Sequence, residues 1–311
     1  MSERDTNPTR ASLARLITLN RAAAGLKLHA KKVRSRQSGQ YLSRIKGRGM
    51  EFDESRPYQP GDDVRNIDWR VTARSGSTHT KLFREERERP VFISVDARAP
   101  MFFATRGRFK SVIASELGAL LLWTAHQHSD RVGGEIYSDE LHTEYRPHRG
   151  QKHLLRMLKQ LSSLGYPEET PGPTTLEAPL RRLHRIAHPG SLVAIISDFR
   201  GLDAAAITQL SRIAKHNEVL LIHVYDQLER ELPQSGQYRV RYAERTVTLD
   251  TSNRSFRQHY HELFQQRWQT LEQLATTYRM KLLHCGTEQS PVTVMRERFG
   301  VQPVSSRRRT A

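Results

Sequence analysis

Cysteine is almost absent from this 311-residue chain. Cys285 stands alone, so no disulfide can close within it, and a reducing compartment is the natural setting. Long apolar runs are missing as well. The longest, around residues 117–125, is too short to cross the hydrocarbon core of a bilayer. The first residues hold no apolar stretch of the signal-peptide kind. These absences point to a cytoplasmic protein without membrane insertion.

Familiar catalytic signatures are missing too. The loop Gly-x4-Gly-Lys-Ser/Thr, whose backbone N–H groups cradle phosphates, does not occur. Neither does the Gly-x-Ser-x-Gly turn that presents a nucleophilic serine. Any ATP chemistry therefore belongs to a partner.

Negative charge is in short supply. The chain has 33 Asp and Glu against 50 Lys and Arg, a formal net charge of +17. Twelve of the basic residues lie within positions 1–50, against only Glu3 and Asp5, and Arg307, Arg308 and Arg309 stand near the other end. Basic ends attract nucleic acid, anionic lipid or acidic protein, or simply keep a tail solvated. No recognition motif or interleaved aromatic run accompanies them, so nucleic acid is the less favoured partner.

What is present suffices for an ordinary core: 37% of residues are hydrophobic. Short apolar runs at 91–95, 192–196 and 218–225 read as buried strands. Helical patterns at 110–128, 151–164, 176–187, 203–216 and 255–278 alternate with them. Residues 131–137 and 141–146 read as a hairpin, 238–242 and 246–249 as two short strands, and 281–284 as a last strand. This alternation predicts an α/β fold, a mostly parallel sheet flanked by helices on both faces. Four segments follow: a basic N-terminal arm (1–40), a turn-rich segment (41–90), the α/β domain (91–290), and a C-terminal helix with a basic tail (291–311).

The turn-rich segment is the most distinctive part. It contains Arg56-Pro-Tyr58, Pro60-Gly61-Asp62-Asp63, Arg65, Ile67-Asp68-Trp69 and Ala73-Arg74. Pro60-Gly61 suits a turn, since Pro fixes φ and Gly accepts positive φ. Its carboxylates (Asp53, Glu54, Asp62, Asp63 and Asp68) alternate with Arg48, Arg56, Arg65, Arg70 and Arg74. Internal ion pairs and turn caps explain that pattern better than acid/base catalysis does. Tyr58 and Trp69 read as anchors to a core.

This ordered motif resembles the hallmark of the family catalogued as domain of unknown function 58. The resemblance extends over roughly residues 40–290. It implies a domain similar to von Willebrand factor A and no established enzymatic activity. It also implies an association with MoxR-type AAA+ ATPases and other von Willebrand factor A proteins in maturing or assembling protein complexes. Larger members carry transmembrane helices, a pattern not seen in this sequence.

Von Willebrand factor A domains hold a divalent cation at the carboxyl ends of their strands. The motif is Asp-x-Ser-x-Ser, a loop Thr and a later Asp. Asp96 fits the first position, Thr174 or Thr175 the loop, and Asp198 the last. Arg98 and Pro100 replace the serines, and neither offers a side-chain oxygen. The expectation is a degenerate site with no metal and no cofactor, its carboxylates paired with Arg98 or capping helices. Arg98, Met101, Phe199 and Arg200 then become candidates for contact with a protein partner. A metal-dependent hydrolase at Asp96 and Asp198 is the weaker alternative, beside a nucleic-acid-associated role for the basic arm.

His184 and His188 lie four apart, a spacing metals use, yet no third ligand is evident. His126 and His128 do not share a helix face. Cys285 follows Leu282-Leu283 and reads as a core residue.

Overall fold

The computed structural model describes residues 7–28, 50–85, 90–139, 141–166, 175–233, 235–242 and 245–300. They fall into two compact units. One joins Met1–Lys31 to Arg89–Ala311, and the other is Lys32–Glu88.

Helix α1 (Leu13–Ala23) corrects the expectation of a separate arm. Ser12 Oγ accepts the Arg15 N–H and starts the helix. Leu16, Leu19 and Ala23 face inward and are buried, as are Leu26 and Leu28 beyond the helix. Lys27 N–H donates to the carbonyl of Phe299 at 2.8 Å. Residues 11–28 are thus part of the domain core, whatever their charge.

The small unit is built from β1 (Met50–Pro57), α2 (Trp69–Ser75) and β2 (His79–Glu85). The two strands pair antiparallel, with a register shift between Phe52 and Glu54. Asp62 N–H closes a turn onto the Gln59 carbonyl, and Gly61 takes φ +104° there. Asp68 caps α2 by accepting from the N–H groups of Arg70 and Val71. The polar sequence of β1 shows no strand alternation; pairing with β2 makes it a strand.

The large unit runs β3 (Val91–Asp96), α3 (Lys110–Gln127), β4 (Val132–Tyr137), β5 (His142–His148), α4 (Gln151–Ser162) and α5 (Glu177–Ile186). It continues through β6 (Leu192–Ser197), α6 (Ala204–His216), β7 (Glu218–Tyr225) and the short α7 (Gln227–Arg230). It ends with hairpin β8 (Gln237–Tyr242) and β9 (Arg245–Asp250), α8 (Arg254–Thr277), β10 (Lys281–Gly286) and α9 (Pro291–Phe299).

Six strands form one sheet in the order β10-β7-β6-β3-β4-β5. All neighbours are parallel except β4 and β5, which form the expected hairpin. Numbered along the chain, this is the doubly wound order 3-2-1-4-5-6 with its third strand reversed.

Helices cover both faces. Val91, Ile93 and Val95 join a core with α1, α3, α4 and α9, while Phe92, Val193 and Ile195 join one with α5, α6 and α8. Every residue of α3 from Lys110 to Ala125 is buried. A helix buried on all sides needs cover beyond the sheet; α1 supplies part of it, and Trp123 Nε1 donates to the Leu16 carbonyl at 2.9 Å. Likewise α9 buries Val294, Met295 and Phe299 in the same core, so it too belongs to the domain.

Candidate functional site

In a doubly wound sheet the ligand crevice opens at the carboxyl ends of the strands, where the order reverses. Here that point lies between β3 and β6. Asp96 ends β3 and Asp198 directly follows β6.

Arg98 closes back on Asp96. Its Nε lies 2.9 and 3.1 Å from the two carboxylate oxygens, and its Nη2 lies 2.6 Å from Oδ2. Ser197 Oγ donates to the same Oδ2 at 2.6 Å. The remaining guanidinium hydrogens reach the carbonyls of Arg200 and Thr175 at 3.1 and 3.3 Å. Burial works against the Arg98 charge, but Asp96 outweighs it and holds the guanidinium above its ordinary value.

Asp198 is held by a different cation. Lys110, the first residue of α3, places Nζ 2.8 Å from Asp198 Oδ2 and 2.6 Å from Glu229 Oε1. Glu229 Oε1 also accepts from Arg200 Nη2 at 2.8 Å, and its other oxygen takes the Asp226 N–H in the capping box of α7. Burial raises the Asp198 pKa, yet Lys110, then Arg200 and Arg98, pull it well below the ordinary carboxylate range. Nearby, Asp226 accepts from Thr105 Oγ1 at 2.6 Å and Thr287 Oγ1 at 2.7 Å.

The formal charges of Asp96, Asp198 and Glu229 are thus matched by those of Arg98, Lys110 and Arg200. Among these six only Arg200 reaches the surface, with a side chain 40% exposed. Arg98, Met101 and Phe199 are buried, which corrects their expected role as partner contacts. Phe199 sits at φ +53°, a region bulky residues avoid, and its N–H is fixed on Ser197 Oγ at 2.8 Å. Thr174 lies outside the described residues. The Thr175 hydroxyl is turned to Asp203 Oδ2 at 3.3 Å, and only its carbonyl meets the site.

Sequence reasoning found Asp96, Arg98, Asp198 and Arg200 but missed Lys110 and Glu229. A signal existed for each. A lysine opening a helix opposes the macrodipole and requires a reason, and Asp226-x-x-Glu229 is a legible capping box.

A second buried carboxylate lies on β4. Glu135 accepts from Ser94 Oγ at 2.9 Å and lies 2.9 Å from His142 Nε2. Burial pushes its pKa up to about 7 against the opposing pull of Ser94 and Arg182.

In the small unit, Arg56 pairs with Asp62 at 2.6 Å, the Tyr58 hydroxyl donates to the Asp62 carbonyl, and Asp63 caps a short turn at Arg65. Trp69 is 71% exposed, against the expectation of a core anchor, and Arg65, Arg70 and Arg74 are exposed beside it. The Asp53 side chain lies outside what is described.

His188 falls beyond the end of α5 and so does not share a helix face with His184. No group of three or more metal-ligating side chains occurs among the described residues. Cys285 is buried, and burial pushes its thiol up to about 12.

With this geometry in hand, comparison with known proteins places the chain. Residues 54–270 match the family described as "Protein of unknown function DUF58", and the chain belongs to that family. Uncharacterized proteins of Mycobacterium bovis and Mycobacterium tuberculosis are 33% identical over 215 residues, spanning 69% of this chain and 67% of theirs. Among solved structures, an aerotolerance-related membrane protein from Bacteroides fragilis aligns with a TM-score of 0.44 at 11% identity. That alignment spans 67% of this chain and 96% of that one. BatB from Bacteroides thetaiotaomicron gives 0.41 at 14% identity, over 66% and 93%. Among the described residues of this chain, no helix is long and apolar enough to cross a membrane.

Proposed function

We propose that this chain is a von Willebrand factor A-like interaction module that works with a MoxR-type AAA+ ATPase in maturing or assembling a protein complex, and that it catalyses no reaction itself. The supporting observation is that its switch-point carboxylates are already satisfied by the chain's own cations. A divalent ion would have to displace the Arg98 fork from Asp96 and the Lys110 ammonium from Asp198. With its proton affinity depressed by three cations, Asp198 is also a poor general base. Hydrolytic chemistry is therefore the weaker reading, and recognition by shape and surface charge the stronger one, with Arg200 at the rim.

The test is direct. The purified chain is titrated calorimetrically with a MoxR-type AAA+ ATPase from the same organism, with and without EDTA. Binding that survives the chelator is the expected result. No binding in either nucleotide state of the ATPase would remove this reading.

A further inference from the structure

The amino ends of β3 and β4 carry a second feature, remote in kind from the charge-balanced network. Along β5 the side chains alternate between exposed and half-buried positions. Tyr145 packs against the core shared with α4. Glu144 and Arg146 belong to the other alternation, and Glu144 stands opposite Glu135 in the strand register. There the strand and the end of α5 border a cavity of about 610 Å³, lined by Arg131, Arg146, Arg185, His188 and Glu144 among others.

Among the described residues, Arg146, Arg185 and His188 thus share one concavity with a single carboxylate, Glu144. Among the described residues, neither Arg146 nor Arg185 has an ion-pair partner within 4 Å, and Glu144 neutralises neither of them. The positive field reaches inward: the His142 imidazole is held below its ordinary range, by burial first and then by Arg182 and Arg185. A favourable helix C-terminus accounts for basic residues at Arg185 and His188. It does not account for Arg146 on a strand, or for the arginines meeting around a hollow.

We propose that this groove binds a small molecule carrying a diphosphate group, with Arg146 and Arg185 as its principal ligands. Guanidinium forks match phosphate oxygens in pairs and stay charged at any physiological pH. The volume lies in the range that encloses small ligands, roughly 300–1,000 Å³, and exceeds what one phosphate fills. That favours a nucleotide-sized ligand over inorganic phosphate. A nucleic-acid backbone would call for an extended track of charge, whereas this charge is gathered in one hollow.

The experiment uses the full chain and three probes in calorimetric titrations at physiological salt: inorganic pyrophosphate, ATP without magnesium, and a single-stranded oligonucleotide. Pyrophosphate and ATP should both bind. The double variant Arg146→Ala/Arg185→Ala should weaken both at least about tenfold, equivalent to about 1.4 kcal/mol, with an unchanged circular dichroism spectrum because both side chains are exposed. Glu144→Gln should tighten both by removing the one like charge. The proposal is overturned if neither small probe binds, if the double variant binds them as well as the parent does, if Glu144→Gln weakens them, or if only the oligonucleotide binds.

Discussion

Lys110 Nζ lies 2.8 Å from Asp198 Oδ2 across 88 residues of sequence, with neither side chain more than 1% exposed. A lysine at the start of α3 works against the helix dipole and against desolvation. It persists because two carboxylates, Asp198 and Glu229, converge on it. The same ammonium ties the loop after β6 to α7, the short helix after β7, so one residue links the carboxyl ends of two neighbouring strands.

Replacing that lysine should therefore be severe. Lys110→Met leaves Asp198 and Glu229 buried with one cation fewer, and breaking a buried pair costs about 3–5 kcal/mol. Urea denaturation measures it. A loss below about 1 kcal/mol would mean that water or rearrangement already satisfies the carboxylates.

Arg98 should behave alike and should also decide the metal question. Arg98→Ser leaves Asp96 with only the Ser197 hydroxyl and the backbone N–H of residue 98, and no cation, again at about 3–5 kcal/mol. Elemental analysis of the parent protein should find no stoichiometric divalent cation. One equivalent of Mg, Mn or Ca, lost in Asp96→Asn, would show that the guanidinium yields its place.

The pH dependence of stability should carry the mark of Glu135. Its folded pKa, about 7, lies above its ordinary value of 4.5. Between these values the unfolded chain has released the proton and the folded chain retains it, so stability falls as pH rises through that window. The full effect is roughly 3 kcal/mol, present below the lower value and gone above the upper one. Glu135→Gln should flatten this slope in denaturation curves taken from pH 4.5 to 7.5. An unchanged slope would assign it elsewhere. His284, held down to about 4 by burial, contributes the opposite slope over much of the same range, since its unfolded form takes up a proton first.

Truncation will distinguish an arm from a core element. Removing residues 1–28 strips Leu16, Leu19, Ala23, Leu26 and Leu28 from the core they share with α3, α4 and α9. Each large side chain contributes about 1.5–3 kcal/mol by burial. The expected outcome is aggregation or a collapse of the thermal transition. A truncated protein that melts with the parent would restore the dispensable arm.

Trp69→Ala should be nearly silent for stability, within about 0.5 kcal/mol, because the ring is 71% exposed. Trp123 is buried and its indole N–H is committed to Leu16, so the variant should lose mainly the red edge of the fluorescence emission. A loss above 2 kcal/mol would show that the ring is packed in solution.

Much of this protein was legible from its residues. The apolar runs at β3, β6 and β7 and the helical patterns between them determine a layered α/β unit, because period and polarity report directly on burial. Asp96 and Asp198 are recognisable as strand-end carboxylates, Arg98 and Pro100 as replacements that supply no side-chain oxygen, and Pro60-Gly61 as a turn. Tertiary structure alone decided the rest. Net charge concealed that α1 is a core helix, because only one face of it has to be apolar. Met101 and Phe199 looked like surface contacts and are enclosed, since a loop residue's exposure depends on what folds over it. Lys110 and Glu229 meet across 119 residues, and no local pattern records such a pairing. An ion pair is a property of distance, and the backbone sets that distance only once every layer is in place.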